Sequence, residues 1–152
     1  MALEITTVGA SVKYKIEATA GGARPTSGYT ALTDVNSAPE IPFEYEALPC
    51  SNISDTVSKY TRGRKEPPGS VTFTLNHTEA AITGWNAMVT AFGSGAGKRI
   101  WIEYAFAGAT NSFFFLVEPC ALGSNGIEQN TVDTLPAVAI VADVEGWAAK
   151  ST

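Results

Sequence analysis

Four cations, Lys59, Arg62, Arg64 and Lys65, fall within seven residues and are followed by Glu66. Such a cluster reads either as a solvated hairpin loop or as a loop that docks electrostatically on an acidic partner, including a second copy of the same chain. It sits in an acidic background, because the chain as a whole carries a net charge of −5. That balance argues against a general nucleic-acid binder, which would normally be basic. The opposite sign collects at Glu40, Glu44 and Glu46, which share one face if residues 41–47 form a strand. They read either as a solvated face or as an acidic surface with a purpose.

Other chemistries find few residues to work with. His77 is the only histidine, and Cys50 and Cys120 are the only cysteines. One histidine and two well-separated cysteines are a poor set for zinc, so no metal is expected. No Gly-x-Ser-x-Gly elbow is present, and Glu44 and Glu46 have nothing beside them to mark a catalytic pair. The glycine-rich run at residues 93–98 resembles a phosphate loop only superficially. Phe92 stands where that motif needs glycine, Arg99 stands where it needs Ser or Thr, and the order is helix–loop–strand. The sequence therefore predicts neither an enzyme nor a cofactor.

The strongest periodic signal lies in residues 70–106. Val71, Phe73 and Leu75 alternate with Thr72, Thr74 and Asn76, the period of a half-buried strand. The period then changes. Ala81, Ile82, Trp85, Met88, Val89 and Phe92 recur at spacings of three and four, which predicts one amphipathic helix over residues 78–92. Thr78 is placed as its N-cap, Glu79 suits the first turn, and Gly93 is the stop. A strand follows, with Ile100, Ile102, Tyr104 and Phe106 on one face.

Around this unit the chain reads as strands. Val12, Tyr14 and Ile16 alternate with charged residues; short strands are expected at residues 29–35, 41–47 and 52–56. Residues 112–117 are apolar on both faces, so that strand should be covered twice. A last strand is expected over residues 132–144. Residues 1–10 read as an N-terminal arm or a first edge strand, 58–69 as a long basic loop and 145–152 as a C-terminal tail.

With 152 residues and no dividing linker, the chain is expected to form one domain. Charged residues make up 16%, well below the usual quarter, which suits a surface partly covered by other subunits. No basic start followed by an apolar run marks a signal peptide, and no membrane span is expected. The two cysteines then read as free thiols in a reducing compartment.

In this order of elements the sequence resembles the tail tube proteins of long-tailed, non-contractile bacteriophages. The resemblance rests on residues 53–65, followed by Gly-Ser-Val-Thr-Phe-Thr-Leu-Asn at 69–76, the single helix, and the closing Val-Ala-Ile-Val-Ala-Asp-Val-Glu-Gly at 138–146. It implies a mainly β fold, a two-sheet antiparallel sandwich or partly closed barrel flanked by one α-helix, similar to the tube protein of type VI secretion systems. It also implies a homo-oligomer: hexameric rings, stacked into a hollow tube through which DNA passes without specific binding. Other tail proteins (tape measure, tail tip, terminator) would be its partners, in a virion tail assembled in the host cytoplasm. Carried onto this chain, the loop at 58–69 and the two termini would make contacts between rings, with Lys59, Arg62, Arg64, Lys65 and Glu66 as contact residues. Glu40, Glu44 and Glu46 would be candidates for a lumen wall that repels phosphate. Two alternatives stand beside this reading: an immunoglobulin-like binding module, such as a capsid decoration or adhesin, and a tail terminator. The helix argues against a plain immunoglobulin sandwich.

Overall fold

A computed structural model of the chain describes residues 4–94 and 97–152. The first residues of the N-terminal arm and the middle of the glycine run lie outside the described residues. The elements are β1 (Ser11–Ile16), β2 (Thr30–Ala31), β3 (Val35–Ser37), β4 (Glu44–Pro49), β5 (Tyr60–Glu66), β6 (Ser70–Asn76), α1 (Glu79–Gly93), β7 (Ile100–Ala105), β8 (Asn111–Pro119) and β9 (Thr134–Ala149).

Seven strands form one sheet in the order β2-β1-β7-β8-β9-β6-β3, and β4 and β5 form a separate two-stranded sheet. Every pairing is antiparallel. The large sheet is curled, and its connectivity shows why. Its two edge strands, β2 and β3, are consecutive in the chain. The four steps from Ala31 to Val35 can span no more than about 14 Å. Leu32 N donates to Val12 O on β1 at 2.8 Å, and Asn76 N on β6 donates to Asp34 O at 2.8 Å. One short segment thus ties both edges together, and the sheet becomes a partly closed barrel. Asp34 turns the corner with φ +58°, a left-handed conformation that Asp tolerates better than most residues.

The helix forms where the period predicts it. Thr78 Oγ1 accepts a hydrogen bond from Ala81 N at 3.0 Å, and Glu79 occupies the first turn. Ala81, Trp85 and Met88 are buried, and Ile82 and Val89 pack against the same core. That core is the concave side of the sheet: Phe73 and Leu75 on β6, Ile100 and Ile102 on β7, Phe115 and Val117 on β8, and Ala137 and Ala139 on β9. Trp85 sits against Phe73, with ring centroids 5.9 Å apart. Its Nε1 donates to Cys120 O at 2.8 Å, so the one polar atom it buries is satisfied.

Strand β8 is covered on both faces. Phe113, Phe115 and Val117 join the main core, while Phe114 and Leu116 join Trp101 in a smaller cluster on the opposite face. The cover on that second side is the irregular segment around Arg24 and Tyr29, instead of a second sheet.

Five expected segments differ. The strand expected at 29–35 is split by the corner at Asp34 into β2 and β3 on opposite edges of the sheet, and the one expected at 41–47 begins only at Glu44. Residues 52–56 form a turn instead of a strand. The basic stretch at 58–69 is mostly strand: β5 pairs with β4 from Glu44↔Glu66 to Pro49↔Tyr60. The region 145–152 is not a free tail either, because β9 runs on to Ala149 beside β8. Gly146 and Val144 pair with the adjacent residues Phe114 and Phe115, so Glu145 is the extra residue of a bulge. The bulge lets pairing continue past a Glu-Gly step that reads as a strand end.

Candidate assembly surface

The β4–β5 hairpin leaves the barrel between residues 38–43 and the Pro67-Pro68-Gly69 turn. A two-stranded sheet alone is marginal in water. This one gains support at its base. Lys65 Nζ donates to Val144 O at 3.0 Å and lies 3.7 Å from Asp143 Oδ1. Phe43 packs on the bare backbone of Gly146, where a Cβ would come within 3.1 Å of its ring.

The tip has its own polar scaffold. Asn52 N and Lys59 Nζ each donate to the Asp55 carboxylate at 2.7 Å. The Lys59 ammonium, and then the Asn52 N–H, hold that carboxyl below its ordinary value. Ser54 N and Oγ both donate to Asn52 Oδ1, and Cys50 N donates to Lys59 O. The turn is therefore fixed by its own hydrogen bonds. On this scaffold Ile53 and Val57 are 107% and 71% exposed, with Leu48 and Tyr60 exposed nearby. A structured knob with an apolar surface is what a docking element requires.

Three of the four cations have an acidic neighbour within the chain. Lys59 is bound within the tip to Asp55, Arg64 lies 3.6 Å from Glu46 across the hairpin, and Lys65 serves the base. Arg62 stacks on Tyr45, 4.3 Å from the ring centre. Glu66 faces Glu44 across the strand pair, a like-charge pairing that works against the isolated hairpin. Arg62 makes no ion pair among the described residues, and Arg64 remains 91% exposed in its side chain. Arg62 is thus without an acidic neighbour among the described residues, and Arg64, though beside Glu46, stays open to a further one.

The acidic trio is also split. Glu40 precedes β4, beside a groove of about 370 Å³ lined by Ile41, Phe43, Tyr104, Phe106, Phe113 and Trp147. Glu44 and Glu46 lie on β4, with Glu46 engaged by Arg64. Strand register therefore does not hold the three carboxylates on one face, as a continuous strand would have done.

The sequence reading missed the apolar members of this surface. Ile53 and Val57 are single apolar residues among Ser, Asp and Thr, and that isolation was the available signal. Trp147, 64% exposed and 5.4 Å from Phe113 by ring centroids, was hidden in a segment read as tail.

His77 Nδ1 lies 2.5 Å from Asp133 Oδ2 at the junction of β6 and α1 and ties the loop before β9 to the helix start. Both cysteines are free thiols, Cys50 exposed and Cys120 half-buried. Among the described residues no group of three or more His, Cys, Asp or Glu could hold a metal ion, and no helix is long and apolar enough to cross a membrane.

No protein-family model matches the chain, and no curated protein matches it in sequence. Among solved structures, a chain of the six-fold symmetrised cryo-EM structure of the anti-feeding prophage (AFP) baseplate has the same fold. The TM-score is 0.57 at 10% identity, covering 96% of this chain and 95% of that chain. At that identity the likeness is one of fold, and it spans both chains nearly end to end.

Proposed function

We propose that this protein is a structural subunit of a phage tail or prophage-derived particle, with no enzymatic activity. Copies assemble into hexameric rings that stack as a hollow tube for DNA, alongside other tail proteins such as the tape measure, tip and terminator. The observation that carries this reading is the β4–β5 hairpin, anchored to the barrel at its base while Ile53 and Val57 at its tip stand exposed. The fold shared with a chain of a six-fold symmetrised baseplate supports it, as does the low charge content of the sequence. The net charge of −5 suits a conduit that does not retain nucleic acid.

A second reading is favoured by the neighbour itself: a baseplate subunit that closes one ring and does not stack without limit. Both readings require self-association, whereas an immunoglobulin-like binding module does not. Sedimentation velocity over a concentration series separates the two classes. The proposal expects large, concentration-dependent species. A single monomeric boundary at every concentration would favour the binding module.

A further inference from the structure

The sheet face turned away from the helix carries the smaller apolar cluster of Trp101, Phe114 and Leu116. Its roof is the irregular segment at residues 24–29. The Arg24 guanidinium lies 4.0 Å from the centre of the Phe114 ring, and Tyr29 meets the same ring edge-on at 5.9 Å. Tyr29 Oη donates to Pro25 O at 3.0 Å, which folds the segment on itself. The roof is fastened to the C-terminal end of the chain at two points. Arg24 Nε lies 2.7 Å from Glu145 Oε2, and Thr152 N donates to Thr26 O at 3.2 Å.

Glu103 lies on the same face and is fully buried. A buried carboxylate is tolerated only when charge or hydrogen bonds compensate it. Here the donors come from Ser151: the backbone N at 3.0 Å and Oγ at 2.6 Å. Lys13 faces Glu103 from β1, and Phe114 faces it from β8.

We propose that Glu103 is the catch of a two-part latch. It holds Ser151 down, and the C-terminal segment in turn holds the 24–29 roof closed over Trp101, Phe114 and Leu116. If Ser151 leaves, the carboxylate loses both of its close donors. If the C-terminal segment leaves, the roof loses its bond to Thr152. Beneath the roof, Trp101 Nε1 is buried without a hydrogen-bond partner.

The latch has a pH sign. Burial pushes the Glu103 carboxyl up, but the two Ser151 bonds, with Ser112 and Lys13, pull it down further, so the balance falls below the ordinary 4.5. Of the other titratable groups, Tyr29 feels the Glu103 charge together with Arg24 and Glu145; burial foremost pushes it up to about 12, so it does not titrate near neutrality. A carboxylate lowered in the folded state contributes fully above its unfolded value, and that contribution is lost as pH falls through its folded value. The Glu103 contribution to the latch is therefore complete at neutral pH and weakens as the pH falls through its folded value.

Hydroxyl-radical footprinting, paired with amide exchange of the peptide covering residues 145–152, tests this on the full chain at pH 7. In Glu103→Gln the C-terminal peptide should exchange faster, and Trp101, Phe114 and Tyr29 should oxidise several-fold faster, while Trp85 in the core stays protected. Ser151→Ala removes only the Oγ bond and should open the same two regions to a smaller extent; it decides the matter if Glu103→Gln does not fold. A C-terminal peptide that loosens while the roof residues stay protected would overturn the coupling. Unchanged rates in both regions, or Trp85 oxidising in step with Trp101, would overturn the latch.

Discussion

Trp85→Ala should lower the thermal midpoint by roughly 6–20 °C. The estimate combines about 3–5 kcal/mol for truncating a buried tryptophan with about 2–4 °C per kcal/mol for a chain of this size. Trp85 is fully buried, packs on Phe73, and is the largest side chain that α1 commits to the sheet. The substitution also strands the Cys120 carbonyl, adding about 1 kcal/mol. Trp85→Phe keeps much of the packing and should fall between. Asn86→Ala, on the exposed side of the helix, should stay within about 0.5 kcal/mol of the parent. Differential scanning fluorimetry reads all three. A Trp85→Ala midpoint equal to that of Asn86→Ala would mean that the helix does not hold the core as described.

The second large effect concerns assembly. Ile53→Ser combined with Val57→Ser should leave the thermal midpoint nearly unchanged, because both side chains already face water. Self-association should instead fall by roughly 10²–10⁴-fold, the loss of about 1.5–3 kcal/mol of apolar burial for each residue at a contact. Charge reversal at Arg62 and Arg64 should cost much less, since exposed ion pairs contribute about 0–1 kcal/mol, and its effect should fade at high salt. The ordering matters more than either value. If reversing the two arginines abolishes assembly while the serine pair leaves it intact, the contact is electrostatic and the apolar knob is incidental.

The legible part of the fold was the part with a hydrophobic period. Strand β6, helix α1 and strand β7 each carry an uninterrupted pattern, and each appears within one or two residues of its expected position. Strand β5 was not legible for a physical reason. Tyr60, Arg62, Arg64 and Glu66 alternate with Thr61, Gly63 and Lys65, so neither face is apolar. Its strand character comes from pairing with β4, a property of two segments together. The end of β9 was hidden in another way. Pairing survives the Glu-Gly step only through a bulge, and a one-residue insertion is invisible to a strict period of two.

The candidate surface was half legible. The cations were found, but their partners within the chain, Asp55, Glu46 and Asp143, lie on other strands or across a turn. Their engagement moves the weight of the docking argument from charge to the exposed side chains at the hairpin tip. The C-terminal segment, expected as a tail, is bound to its own barrel through Ser151 and Thr152.

Electron microscopy of the purified protein at low and high concentration tests the central claim most directly. The account predicts six-fold rings with a central hole that stack into tubes as concentration rises. Single closed rings that never stack would contradict the tube and favour the baseplate reading. Small monodisperse particles at every concentration would contradict self-assembly itself.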